Sequence, residues 1–97
     1  MSALRDVVSF VDVIAAGEYL EVLPTDTAEW VIHNIWHEDD ITLRFYKDDT
    51  DYVDVSFTGA GLLAYYSIHV TATISLRIID ASGAGQRMGC DGVITKL

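Results

Sequence analysis

Positive charge is scarce in this sequence. Six lysines and arginines stand against fifteen aspartates and glutamates, a net charge of −9 at neutral pH. A nucleic-acid backbone is held by clustered cations that displace its counterions. Six cations scattered along 97 residues make no such footprint, so no nucleic-acid partner is expected. Cysteine is scarcer still. Cys90 stands alone, which rules out an intrachain disulfide and removes one common staple of small domains. Formal charge is missing altogether from residues 55–76. That raises the question of a membrane span, but Ser56, Thr58, Gly59, Gly61, Ser67, His69, Thr71, Thr73 and Ser75 make the stretch too polar for a lipid-facing helix. Near the start, VVSFVDVIAAG is flanked by Asp6 and broken by Asp12, a poor match to a secretory signal. No membrane is expected as a partner.

What the chain has in plenty is apolar residues. They make up 51% of it, with a mean hydropathy of +0.27. At 97 residues the chain is expected to form a single domain spanning 1–97. A domain of this size buries only about 60–65% of the surface its unfolded chain exposes. Apolar content this high therefore points to a partner that covers the surplus. The charge is also unevenly placed. Residues 1–54 carry thirteen acids against Arg5, Arg44 and Lys47, whereas residues 55–97 carry Asp80 and Asp91 against Arg77, Arg87 and Lys96.

Period-2 alternation is the dominant pattern. Over 30–37, Trp30, Ile32, Asn34 and Trp36 alternate with Val31, His33, Ile35 and His37. Both sets carry apolar bulk, so this strand is expected to be covered on both sides. Ile41, Leu43 and Phe45 alternate with Thr42, Arg44 and Tyr46 after an acidic turn at 38–40. Lys47-Asp48-Asp49-Thr50-Asp51 reads as a hairpin connection into Val53, Val55 and Phe57. Thr58-Gly59-Ala60-Gly61 breaks that strand. The alternation from Ile68 to Ile78 is long for one strand, which predicts a turn near Thr71–Thr73. A further turn is expected at 80–86, then a last strand within 87–96 punctuated by Gly89 and Gly92. Residues 7–14 fit a helix or a strand, and their β-branched content favours strand. Tyr19-Leu20-Glu21-Val22 is a strand that Pro24 ends. The sum is an all-β fold of seven to eight short strands, an antiparallel β-sandwich of jelly-roll-like form.

No complete catalytic constellation is present, and the chain is expected not to be an enzyme. Cys90 has no glycine elbow around it and reads as a small buried hydrophobe. His33 and His37 lie about 13 Å apart along a strand, too far to share a zinc ion. Asp48, Asp49, Asp51 and Asp54 lack the spacing of an EF-hand loop and read as a solvated hairpin tip. Neither metal nor cofactor is expected. Gly61-Leu62-Leu63-Ala64-Tyr65-Tyr66 has the composition of an interface core, uncharged and rich in bulky groups. Leu62, Leu63, Tyr65, Tyr66 and Ile68 are the expected subunit contact.

Several segments in order give the chain a family likeness: Gly17-Glu18-Tyr19-Leu20 entering a strand, then Trp30-Val31-Ile32-His33-Asn34-Ile35, then Leu43-Arg44-Phe45-Tyr46 before the Asp-rich hairpin. Leu76-Arg77-Ile78 and a closing Gly89-Cys90-Asp91-Gly92-Val93 complete the series. In these the chain resembles the small β-sandwich virion structural proteins of tailed bacteriophages, which serve as head-decoration, head-fibre or tail-associated subunits. The resemblance implies location in a virion, a homo-oligomer with a trimer favoured, attachment to other virion proteins and no catalytic residues. The rival expectation is a lectin-like module that uses exposed Trp and Tyr to hold carbohydrate.

Overall fold

The computed structural model describes residues 6–24, 27–48, 50–63 and 68–97. The strands pair in nested order. β1 (Val7–Ile14) pairs with β9 (Gln86–Lys96), and β2 (Tyr19–Val22) with β8 (Leu76–Asp80). Inside these, β3 (Glu29–His37) pairs with β6 (Gly61–Leu63) and β7 (Ile68–Val70), and β4 (Ile41–Tyr46) pairs with β5 (Tyr52–Phe57). Every pair is antiparallel. The described strands thus form one long double-stranded hairpin with its tip between β4 and β5, where the Lys47 N–H donates to the Asp51 carbonyl at 2.8 Å.

Rolling up this hairpin adds two pairings, β3 with β9 and β4 with β8. One sheet then runs β1-β9-β3-β6, with β7 also on β3, and the other runs β2-β8-β4-β5. This is the strand order of a jelly roll, two sheets made by Greek-key winding. β6 and β7 occupy successive stretches of the same edge of β3, with Leu63 opposite Ile35 and Ile68 opposite Ile32. Among the described residues nine strands therefore fill eight positions, one strand more than the seven to eight that the alternation predicts.

Alternation on each strand sends one set of side chains between the sheets. Ile32, Ile35, Met88 and Cys90 come from the first sheet and Ile41, Leu43, Leu76 and Ile78 from the second, all buried. Each large aliphatic side chain so placed contributes about 1.5–3 kcal/mol relative to leaving it in water. The expected strand at 7–14 is present, and the turn expected near Thr71–Thr73 falls between β7 and β8.

The expected strict alternation over 30–37 breaks at one point. Ile32 faces Gly92 and Asn34 faces Asp91, so His33 is an extra residue without an opposite number on β9. This β-bulge resets the phase of the strand. Trp30 and Ile32 point inward before it, and Ile35 and His37 after it. A bulge of this kind has no residue-type signature here, and alternation alone carries straight through it.

Candidate assembly surface

The two outer faces of the sandwich differ in chemistry. On the β2-β8-β4-β5 sheet the outward groups satisfy one another. Arg44 makes a two-pronged contact with Asp54 (Nε–Oδ1 2.8 Å, Nη2–Oδ2 3.0 Å) and lies over the Tyr52 ring at 4.0 Å. Arg77 donates to Glu21 at 3.0 Å and covers Tyr19 at 4.3 Å. Thr42 and Ser56 hydroxyls are 3.3 Å apart. Side chains of this type are well solvated, and each tyrosine named has a guanidinium over a ring face that a sugar would otherwise use.

The other outer face carries two largely apolar rows with a polar row between them. Backbone register places Val11 of β1, Gly89 of β9, Trp36 of β3 and Leu62 of β6 in one row across four strands. A second row holds Val7, Val93, Val31 and His69. Between them lie Ser9, Asp91 and Asn34, with Asn34 Nδ2 donating to Asp91 Oδ1 at 2.7 Å. Below the first row, Val13 stands opposite Arg87. Exposure is high: Val7 74%, Val11 58%, Val13 65% and Leu62 61%. Trp36 lies across Gly89, where a Cβ would come 2.6 Å from indole Cε2. The expectation that β3 is covered on both sides finds its inner cover in the opposite sheet. Within the monomer its outward side chains are only partly covered.

The expected contact residues divide between two places. Leu62 belongs to the outer face. Leu63 and Ile68 point between the sheets and are half-buried. With Leu43, Phe45, Val55 and Phe57 they line an apolar cleft of about 200 Å³ at the open side of the sandwich. Tyr65 and Tyr66 lie outside the described residues. Val7, Val11, Val13, Trp36 and Val93 were not singled out as contact residues from the sequence. Their signal was there in part, as odd-numbered valines on 7–13 and as apolar bulk on both faces of 30–37.

Several titratable groups are engaged in the fold. Asp80 is buried between the loops at one end of the sandwich. Its Oδ1 accepts from the Ser82 N–H at 3.0 Å, the Ser82 hydroxyl at 2.6 Å and Gln86 Nε2 at 2.8 Å, and its Oδ2 accepts from the Gly85 N–H at 3.1 Å. Burial alone would raise this carboxyl. The hydrogen bonds from Gln86, Ser82 and Gly85 outweigh it and hold the group at about 2. Gln86 also accepts from the Glu38 and Asp39 N–H groups at 3.1 and 2.9 Å and donates to the Asp40 carbonyl at 2.6 Å, locking the 38–40 turn. Gly85 needs its positive φ of 78° to complete this knot.

Cys90 is fully buried, and desolvation, helped by Asp91, pushes its thiol up to about 12. A thiol in that state is not a nucleophile at neutral pH. His37 is buried, with its Nδ1 2.9 Å from the Asp39 carbonyl, while His33 occupies the bulge. In the hairpin, Asp48 Oδ1 accepts from the Thr50 and Asp51 N–H groups, both at 2.8 Å, and Asp54 is held by Arg44. Among the described residues, no three His, Cys, Asp or Glu side chains are grouped to hold a metal ion. No protein-family model matches the chain, and no curated protein does.

Proposed function

We propose that the chain is a non-catalytic structural subunit of a phage virion, acting by self-assembly and by attachment to other virion proteins. The contrast between the two outer faces carries this reading. A sandwich that meets water on both sides keeps both outer faces polar. Here one face is a ladder of paired charges, while the other presents Val7, Val11, Val13, Trp36 and Leu62. Exposed bulky apolar side chains clustered on one face in this way support a protein–protein contact. The jelly-roll order adds support, since viral capsid domains use it, although lectin domains do too.

Light scattering over micromolar to submillimolar concentration tests the assembly part. A discrete oligomer is expected, and a monomer at every concentration overturns it. Mass spectrometry of purified particles tests the virion part. The chain is expected to stay with the particles through a density gradient, and its loss there overturns that assignment.

A further inference from the structure

We infer that the partner on the apolar face is a second copy of this chain, docked about a two-fold axis that runs across the strands along the row Val11, Gly89, Trp36, Leu62. The inference rests on the self-assembly reading above and specifies its geometry. A face that covers its own counterpart on an identical chain does so by a two-fold operation, each patch meeting itself.

The charges select among two-fold axes. The outward series on β9 is Arg87, Gly89, Asp91 and Val93, with Val93 opposite Val7, Asp91 opposite Ser9, Gly89 opposite Val11 and Arg87 opposite Val13. Arg87 and Asp91 therefore flank Gly89 at equal distances on either side. An axis along β9 would stack Arg87 on Arg87 and Asp91 on Asp91. An axis across the strands through Gly89 reverses the strand direction in the second copy. It lays Arg87 over the second copy's Asp91, and Asp91 over the second copy's Arg87. Glu38, which accepts from the Arg87 N–H at 2.7 Å, then faces the second copy's Asn34 amide. Both charged pairs are opposite in sign, and the apolar row lies on itself between them.

Arg87 is exposed in the single chain. Asp91 uses Oδ1 for Asn34, and a carboxylate accepts further donors. Two stacked sheets meet at about 10 Å, and Trp36, whose indole fills the space over the bare backbone of Gly89, takes up room within the central row that a side chain at position 89 would otherwise add to. The patch is modest. Eight residues of β1 at about 3.4 Å each give a length of roughly 27 Å, and three strand spacings of about 4.8 Å give a width of roughly 14 Å. With its side chains this falls at the small end of specific interfaces, so the pair forms at micromolar concentration or above.

Sedimentation equilibrium of the wild-type chain and three variants tests the geometry. The wild type is expected to be a dimer. Arg87→Asp and Asp91→Arg should each raise the dissociation constant at least tenfold, and the double charge swap should restore it to within a few-fold of wild type. Circular dichroism melts of the same variants establish that they fold, and Val11→Asp serves as an independent disruptor that leaves both charges in place. An oligomer of another stoichiometry, or a dimer indifferent to the charge swaps, overturns this geometry while leaving self-assembly standing. A folded wild-type chain that stays monomeric overturns both.

Discussion

The indole of Trp36 occupies the space a side chain at position 89 would need. A Cβ on Gly89 would sit 2.6 Å from Cε2 of Trp36, and it would also collide with the Phe10 carbonyl on the neighbouring strand. Since that carbonyl is backbone, a swing of the indole alone does not relieve the strain. Gly89→Ala is expected to cost about 2–3 kcal/mol as an overpacking substitution. Urea denaturation measures the loss, and near-UV circular dichroism should show the tryptophan signal altered in the variant's native state.

Leu62 and Leu63 are adjacent in sequence and opposite in role. Leu62 is exposed beside Trp36, whereas Leu63 faces Ile35 and the cleft between the sheets. Leu62→Ser should change monomer stability by less than about 0.5 kcal/mol, the usual range for an exposed position. Leu63→Ser should cost about 1–2 kcal/mol through lost burial. Melts at a concentration low enough to keep the chain monomeric separate the two, and equal losses would contradict the assignment of faces.

Asp80 makes stability pH-dependent in acid. Its native carboxyl lies at about 2, below the ordinary 3.8 it regains on unfolding. The native state thus favours the charged form, and the stabilisation is fully present above pH 3.8 and is lost as pH falls towards 2. The depression corresponds to about 2 kcal/mol. Urea midpoints at neutral pH and down through the acid range should fall accordingly. In Asp80→Asn the fall should be shallower by that amount, from a lower starting stability.

Cys90 should behave as a probe of unfolding. Buried and with its thiol pushed up to about 12, it is expected to resist a thiol reagent at pH 8 in the native state and react at once in denaturant. Reaction of the folded chain at the rate of a free thiol would contradict its placement. Cys90→Ser should destabilise more than Cys90→Ala, by about 1 kcal/mol or more, because the hydroxyl enters an apolar core.

Much of the strand content was legible because local chemistry agrees with it. Ile41, Leu43 and Phe45 alternate with polar neighbours, and the turn residues of 47–51 close a hairpin onto β5. The alternation of Val53, Val55 and Phe57 was equally visible, yet both valines stay exposed because β5 is the outermost strand of its sheet. The bulge at His33 was hidden, since it reflects where β3 meets β9 rather than any preference of histidine. The assembly surface was legible only in fragments. Val11, Gly89, Trp36 and Leu62 come from four separate strands and become neighbours through register alone. Composition directs attention to a contiguous uncharged segment, whereas the exposed patch is a row across the sheet.

The nested pairing has a consequence for biogenesis. The four strands of the β2-β8-β4-β5 sheet lie within residues 19–80, so that sheet has all its parts before β9 is made. The other sheet waits for β9, which sits between β1 and β3 and is translated after both of them. Contacts of such long sequence separation close slowly, and until they do, the nascent chain displays β1 without its partner and one open edge of β3. A chain truncated before Gln86 loses the middle of a sheet rather than its margin. Its fate is set by exposed strand edges that recruit whatever chain is nearby, and a frameshift ahead of Gln86 should yield an aggregate in place of a shortened fold.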